Sequence, residues 1–228
     1  MKKPKLLLAV EQDLFPDLFS ESDWNRIRER CDVLNPEPPP SPNEAFLGKY
    51  ISESEIVVSS WRTACLDETV LSGADGLRLL CHGAGSVKPV VSEALWKQGV
   101  TVTSAASAIA YGVAEYCLGM ILTGTKRAFW LAQGTRNGEW REHVGTCFGG
   151  VSEIFRQKIG IIGAGHVGRL LIGLLRHFEC EILVYDPYLS AGDAEKLAEL
   201  GGFTGGKRFS HNDCLVLLES VRLYPHPG

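Results

Sequence analysis

"KIGIIGAGHVGRLLIGLLRHFECEILVYDP", Lys158 to Pro187, is the stretch whose reading decides the fold. Lys158 to Ile162 is a short apolar run of strand type. Gly163-Ala164-Gly165-His166-Val167-Gly168 then turns into a helix predicted to run to about Phe178. Glu181 to Tyr185 is a second strand, and it ends on Asp186. Each glycine has a physical task. Gly163 permits a tight turn, Gly165 lets a pyrophosphate approach the backbone, and Gly168 lets helix pack on strand. The helix N-terminus offers unpaired N–H groups and the positive end of its dipole to phosphate. Asp186 stands where a carboxylate accepts hydrogen bonds from a ribose 2′-hydroxyl. A glycine-rich turn kept only for packing leaves that acid unexplained. The context of strand, turn, helix, strand and acid therefore points to a bound dinucleotide. Asp186 would repel a 2′-phosphate, and Pro187 and Tyr188 supply no arginine to hold one, so NAD is favoured over NADP. The cofactor candidates are Gly163, Ala164, Gly165, His166, Val167, Gly168, Asp186 and Pro187. His166 reads as a solvent-facing side chain within the turn and not as a catalyst.

Upstream, the chain alternates strand and helix signals. Lys5 to Val10 is a first strand. Ser20 to Asp23 has capping-box spacing, with Trp24, Ile27 and Cys31 following at helical intervals. "NPEPPPSPN", Asn35 to Asn43, reads as a stiff surface loop. Ile56 to Ser59 and Leu77 to Cys81 are short apolar strands, Val90 to Gly99 a helix, and Val100 to Thr103 another strand. Such alternation implies a parallel α/β layer. Gly112 to Trp140 is a long helical stretch whose apolar residues cover more than one face, as in a core helix or a subunit interface.

Composition sets outer limits. The chain has 228 residues, 45% hydrophobic and 22% charged, with a formal charge of −4. Its 23 Lys and Arg form no basic stripe, which argues against a nucleic-acid partner. The apolar run before Glu11 is too short for a signal peptide, and no run is expected to reach transmembrane length. The seven cysteines include no CxxC pair, which suggests reduced thiols in a cytoplasm and no structural metal site.

Several segments in one order resemble the D-isomer-specific 2-hydroxyacid dehydrogenase family: "VVSSWRTACLDETVLSGADGLRLLCHGAGSVK", "GVTVTSAASAIAYGVAEYCLGMIL", "RNGEW" and "GIIGAGHVGRLL" with "VYDP". The resemblance spans nearly all of Ile56 to Tyr188. It implies an α/β protein with a flavodoxin-like substrate domain, residues 1–107, and a Rossmann NAD-binding domain, residues 108–228, incomplete here. It implies a homodimer through Gly112 to Trp140 and a small 2-hydroxy or 2-oxo acid as substrate. "HGAGSVK" is similar to the family loop whose backbone N–H groups hold the substrate carboxylate, which puts Ala84, Gly85 and Ser86 at that site.

The family's catalytic histidine, its supporting glutamate and its substrate arginine all follow the second Rossmann strand. Here the likeness fades after Leu189, and neither the arginine nor the glutamate is recognisable. "SVRLYPHPG" is similar to the stretch around the family's histidine, which makes His226 a weak candidate base. Otherwise the tail is aberrant sequence and the likeness accidental. The reading is thus a NAD-binding family member, truncated or altered after about residue 190 and impaired in catalysis. The first alternative is a non-enzymatic, NAD-responsive binding module like the family's corepressor relatives. The second is a different NAD enzyme with His82 or His143 as base. With few later strands, the first Rossmann strand is expected to show an unpaired edge, unless the apolar run Cys214 to Leu218 covers it.

Overall fold

The computed structural model describes residues 2–142, 150–201 and 215–218. The chain forms two compact units, Met1–Ile109 and Ala110–Gly228.

In the first unit, β1 (Lys5–Ala9), β2 (Asp32–Val33), β3 (Ile56–Ser59), β4 (Leu79–His82) and β5 (Thr101–Ser104) form one parallel sheet. Its order is β2-β1-β3-β4-β5, the flavodoxin-like arrangement. Strand residues alternate between faces. Leu7, Ala9, Val57 and Leu80 point to one side, where α3 (Glu44–Tyr50), the 3₁₀ turn Ile51–Glu53 and α4 (Glu93–Lys97) bury Leu47, Ile51, Leu66 and Leu95 against them. Burying each such side chain stabilises by about 1.5–3 kcal/mol. Leu6, Leu8, Val10 and Val58 face the other way, toward α1 (Phe15–Leu18) and α2 (Glu21–Arg30), which contribute Phe15 and Trp24.

The α2 cap reads as the sequence implied: Ser20 Oγ accepts from Asp23 N at 3.2 Å. Asn43 and Ser92 cap α3 and α4 in the same way. The proline-rich loop is anchored by the Asn35 amide, whose Oδ1 accepts from Leu8 N and whose Nδ2 donates to Leu8 O. That one side chain continues the pairing of β1 where β2 stops.

In the second unit, β6 (Lys158–Ile162) pairs in parallel with β7 (Glu181–Tyr185), and α7 (His166–Leu175) connects them. α8 (Ala191–Gly201) follows, then β8 (Leu215–Leu218). β8 lies on the free side of β6, giving the order β7-β6-β8. The bare edge expected at β6 is therefore covered, with Ile159↔Leu215 through Ile162↔Leu218 in register. Ile159, Ile161, Leu171, Ile172, Leu175 and Ile182 form this unit's core.

The stretch read as one helix, Gly112 to Trp140, is two. α5 (Ala106–Thr125) begins earlier, and α6 (Ala128–Arg136) starts after Arg127, which sits in the left-handed region at φ 49°. Near the break, Thr123 and Thr125 hydroxyls donate back to the Gly119 and Leu122 carbonyls, a competitor to helical bonding. Ser152 N takes the Thr125 carbonyl. α5 is buried along one stripe, Ala110, Ala114, Ile121 and Thr125, while Tyr111, Val113 and Tyr116 are exposed. Among the described residues, α5 is thus buried on one side and not on several. Contrary to the reading that no run reaches transmembrane length, α5 is long and apolar enough to span a membrane by length and composition. Ala114 and Ile121 nevertheless join the second unit's core.

Candidate nucleotide-binding site

The glycine turn follows the C-terminal end of β6. Gly163 has φ +98°, a conformation that side chains avoid. A Cβ on Gly168 would lie 2.1 Å from the Gly163 carbonyl oxygen, so only glycine lets α7 start this close to the turn. A Cβ on Gly165 would meet nothing within 4 Å, so open space lies over that backbone. Among the described residues, the N–H groups of His166, Val167 and Gly168 in the first turn of α7 have no backbone acceptor. The turn therefore presents free donors at a helix N-terminus next to open space, a fit for a pyrophosphate.

Asp186 does more than its place at the end of β7 implied. Its Oδ2 accepts from Ala164 N at 2.7 Å, and its Oδ1 accepts from Tyr188 N at 2.8 Å. The carboxylate thus fastens the glycine turn to the end of β7. A carboxylate has about four lone-pair sites, so accepting positions remain on both oxygens for a ribose hydroxyl. Arg169 Nε donates to the Ala164 carbonyl at 2.7 Å and holds the turn from the helix side. Neither backbone tie was visible in the sequence, because the fingerprint spacing gives a residue's place and not its partners. Pro187 directly follows Asp186 and separates it from Tyr188, which is exposed.

In the first unit, Ala84, Gly85 and Ser86 form an irregular turn just past β4. Their N–H groups donate to no backbone acceptor among the described residues, while the Ala84 carbonyl accepts from Ala105 N. His82 closes β4 beneath this turn. It is buried, and its Nδ1 lies 2.9 Å from Ser59 Oγ, its register partner at the end of β3. Burial pushes the imidazole below its ordinary range, opposed in part by a hydrogen bond with the Ser86 backbone. His82 is therefore a neutral strut between strand and turn. Arg62, at φ 66°, pairs with Glu11 at 2.5 Å, linking the ends of β3 and β1. Ser60 Oγ is buried there without a partner among the described residues. Equal strand lengths in a parallel sheet could have suggested the Ser59–His82 pair, but only once the strand order was known.

Of the other histidines, His166 begins α7 and His177 is exposed. No described histidine forms an ion pair with a carboxylate. His143 and His226 lie outside the described residues.

A flavodoxin-like sheet in one unit and a strand–glycine-turn–helix–strand with a terminal Asp in the other make an α/β protein with a dinucleotide-binding fold. Residues 118–221 match the model for the D-isomer specific 2-hydroxyacid dehydrogenase NAD binding domain. This match, with the relatives below, supports the D-isomer-specific 2-hydroxyacid dehydrogenase family and NAD as the cofactor. The match runs to residue 221, beyond Leu189, where the likeness fades by eye.

D-3-phosphoglycerate dehydrogenase of Methanocaldococcus jannaschii is 27% identical over 68% of this chain and 28% of its own length. Glyoxylate reductase of Thermofilum pendens is 28% identical over 74% of this chain and 50% of its own. The chain thus spans half or less of these relatives. The holo form of Rhodotorula graminis D-mandelate dehydrogenase superposes with a TM-score of 0.73, covering 91% of this chain and 62% of that one, at 13% identity. That likeness speaks to the fold alone.

Proposed function

We propose that this chain is an NAD-binding protein of 2-hydroxyacid dehydrogenase descent that does not turn over substrate by itself. The observation that carries the reading is the Gly163–Gly168 turn with Asp186 bonded to Ala164 N. Gly163, Ala164, Gly165, His166, Val167 and Gly168 would hold the pyrophosphate. Asp186, with Pro187 beside it, would take the adenosine ribose, favouring NAD over NADP. NAD, when bound, accepts or returns hydride at its nicotinamide ring.

The N–H groups of Ala84, Gly85 and Ser86 would hold the carboxylate of a small 2-hydroxy or 2-oxo acid, as the free donors of that turn support. His82 is tied to Ser59 and buried, so it supports this turn and does not move a proton to substrate. Exposed Tyr111, Val113, Tyr116, Phe129 and Trp130 support a homodimer through Gly112 to Trp140. A cytoplasmic location follows from the same reading.

Isothermal titration with NAD and with NADP tests the first part, and NAD is expected to bind more tightly. NADH oxidation with glyoxylate and with hydroxypyruvate tests the second, and no turnover above background is expected. Clear turnover abolished by His226→Ala would overturn the impaired reading. NAD binding without turnover is also what a NAD-responsive binding module would give. A protein partner captured in an NAD-dependent manner would favour that role.

A further inference from the structure

Strands β1, β3 and β4 lie side by side, and their turns leave from one end of the first unit's sheet. Ser59 closes β3 opposite His82. The Ser60–Thr63 turn therefore stands about one strand spacing, ~4.8 Å, from the Ala84–Ser86 turn. An acid whose carboxylate sits at Ala84–Ser86 can extend its other end over the residues that follow β3 and β1.

One ion pair sets the charge there. Arg62 Nη1 lies 2.5 Å from Glu11 Oε2. Both backbones are anchored. Arg62 takes φ 66°, in the left-handed region that residues other than glycine avoid. Such a conformation persists where its surroundings impose it. Here Thr63 ties the turn to β1, since its hydroxyl accepts from Ser60 N and donates to Ala9 O. On the other side, Glu11 O accepts from Leu14 N and Phe15 N, and Gln12 N donates to Pro39 O. The Glu11 side chain is only 17% exposed, so the pair is screened less than one wholly in solvent.

The neighbours of the pair add no anion-binding character. Asp13, exposed two residues beyond Glu11, puts a second negative charge at the end of β1. Lys88, exposed beyond the other turn, is engaged in an interaction of its own. Trp61, next to Arg62, offers half-exposed apolar surface. A second anionic group on the acid would face Glu11 and Asp13. It could take Arg62 only by leaving the partly buried Glu11 carboxylate without its cation, which is costly.

We propose that Glu11 sets substrate specificity: by occupying Arg62, it restricts the Ala84–Ser86 turn to 2-hydroxy or 2-oxo acids with an uncharged tail and excludes those with a second carboxylate or a phosphate. The inference rests on the reading of that turn as a carboxylate site. Discrimination of this kind works by repulsion and needs no added contact with the favoured acid.

The test uses the full chain, labelled with nitrogen-15, and two acids of one skeleton. D-lactate carries a methyl group where tartronate carries a second carboxylate. The amide signals of Ala84, Gly85 and Ser86 report binding at the turn. With the unaltered chain, D-lactate is expected to bind at least tenfold more tightly than tartronate. Glu11→Gln, which frees Arg62, should raise the affinity for tartronate relative to D-lactate at least tenfold. Adding Arg62→Gln should remove that gain, a result that a merely structural role for Glu11 would not give. Tartronate binding as tightly as D-lactate to the unaltered chain overturns the proposal while the carboxylate site stands, and this comparison needs no variant to fold. A folded Glu11→Gln chain with an unchanged preference overturns it as well. If neither acid shifts the three amides, the carboxylate reading itself fails, and the proposal falls with it.

Discussion

Two turns follow parallel strands in this molecule, and both present backbone N–H groups, but they are held differently. The turn after β6 is shaped by glycine and latched by a carboxylate: Gly163 takes φ +98°, and Asp186 grips Ala164 N. It leads at once into a ten-residue helix, α7, whose dipole adds to its donors. The turn after β4 leads into no immediate helix and rests on a buried imidazole, with His82 bonded to Ser59. The first can attract a doubly charged phosphate group by dipole and donors together. The second offers donors alone, suited to a smaller, singly charged carboxylate. Similar backbone chemistry is thus tuned by what stands beneath the turn.

The strongest way to break this comparison is Gly168→Ala. Its Cβ would collide with the Gly163 carbonyl, so backbone must move. Overpacking of this kind costs about 1–3 kcal/mol, and NAD binding should fall beyond detection by calorimetry. A variant that binds NAD normally would show that the turn is not the cofactor site.

Asp186→Asn comes next. Loss of hydrogen bonds to a charged group costs about 1.5–3 kcal/mol, which corresponds to roughly a tenfold to hundredfold weaker NAD affinity. The preference for NAD over NADP should shrink with it, as parallel titrations would show.

Gly165→Ala sharpens the contrast with Gly168. The added methyl meets no protein atom, so thermal unfolding should hardly change, while NAD affinity drops about tenfold, near 1.4 kcal/mol. A lowered melting temperature with unchanged affinity would reverse the roles assigned to the two glycines.

The smallest effect is expected in the other turn. His82 is buried neutral, with its folded-state pKa below the unfolded value near 6.5. The unfolded state then binds more protons as pH falls below that value. The stability from neutral His82 is present above pH ~6.5 and is lost as pH drops toward the folded pKa. Urea denaturation between pH 5 and 8 should show this slope, and His82→Asn should flatten it. An unchanged slope would remove His82 as the strut of the Ala84–Ser86 turn.

Local chemistry explains what could be read in advance. The β6–turn–α7–β7 unit ending in Asp186 was legible because glycine conformation and helix start signals act within a few residues. The Ser20 cap was legible for the same reason. The Ser59–His82 pair was not, since it depends on β3 and β4 lying side by side in equal register. The break at Arg127 was hidden because apolar periodicity runs through it, whereas the hydroxyls of Thr123 and Thr125 do not register in a hydrophobic pattern. The apolar run ending at Leu218 was visible as a possible strand, but its seat beside β6 depends on pairing across a long separation. The composition of residues 200–214, rich in glycine and polar groups, masked a family likeness that extends to residue 221.

The place of β8 has a consequence for the order in which the second sheet is assembled. Lys158 and Glu181 in β6 and β7 are only about 23 residues apart, joined through α7, so their pairing closes a short loop. Ile159 and Leu215 are about 56 residues apart. Contacts at long sequence separation form late, because their loop-closure entropy is met before they contribute. Assembly is then sequential: a βαβ kernel carrying the glycine turn and Asp186 comes first, and the strand that seals its flank arrives afterward. In pulse-labelled refolding, the amides of β6 and β7 should gain protection before those of β8. For that interval the central strand presents an open edge, the period in which neighbouring copies can pair with it.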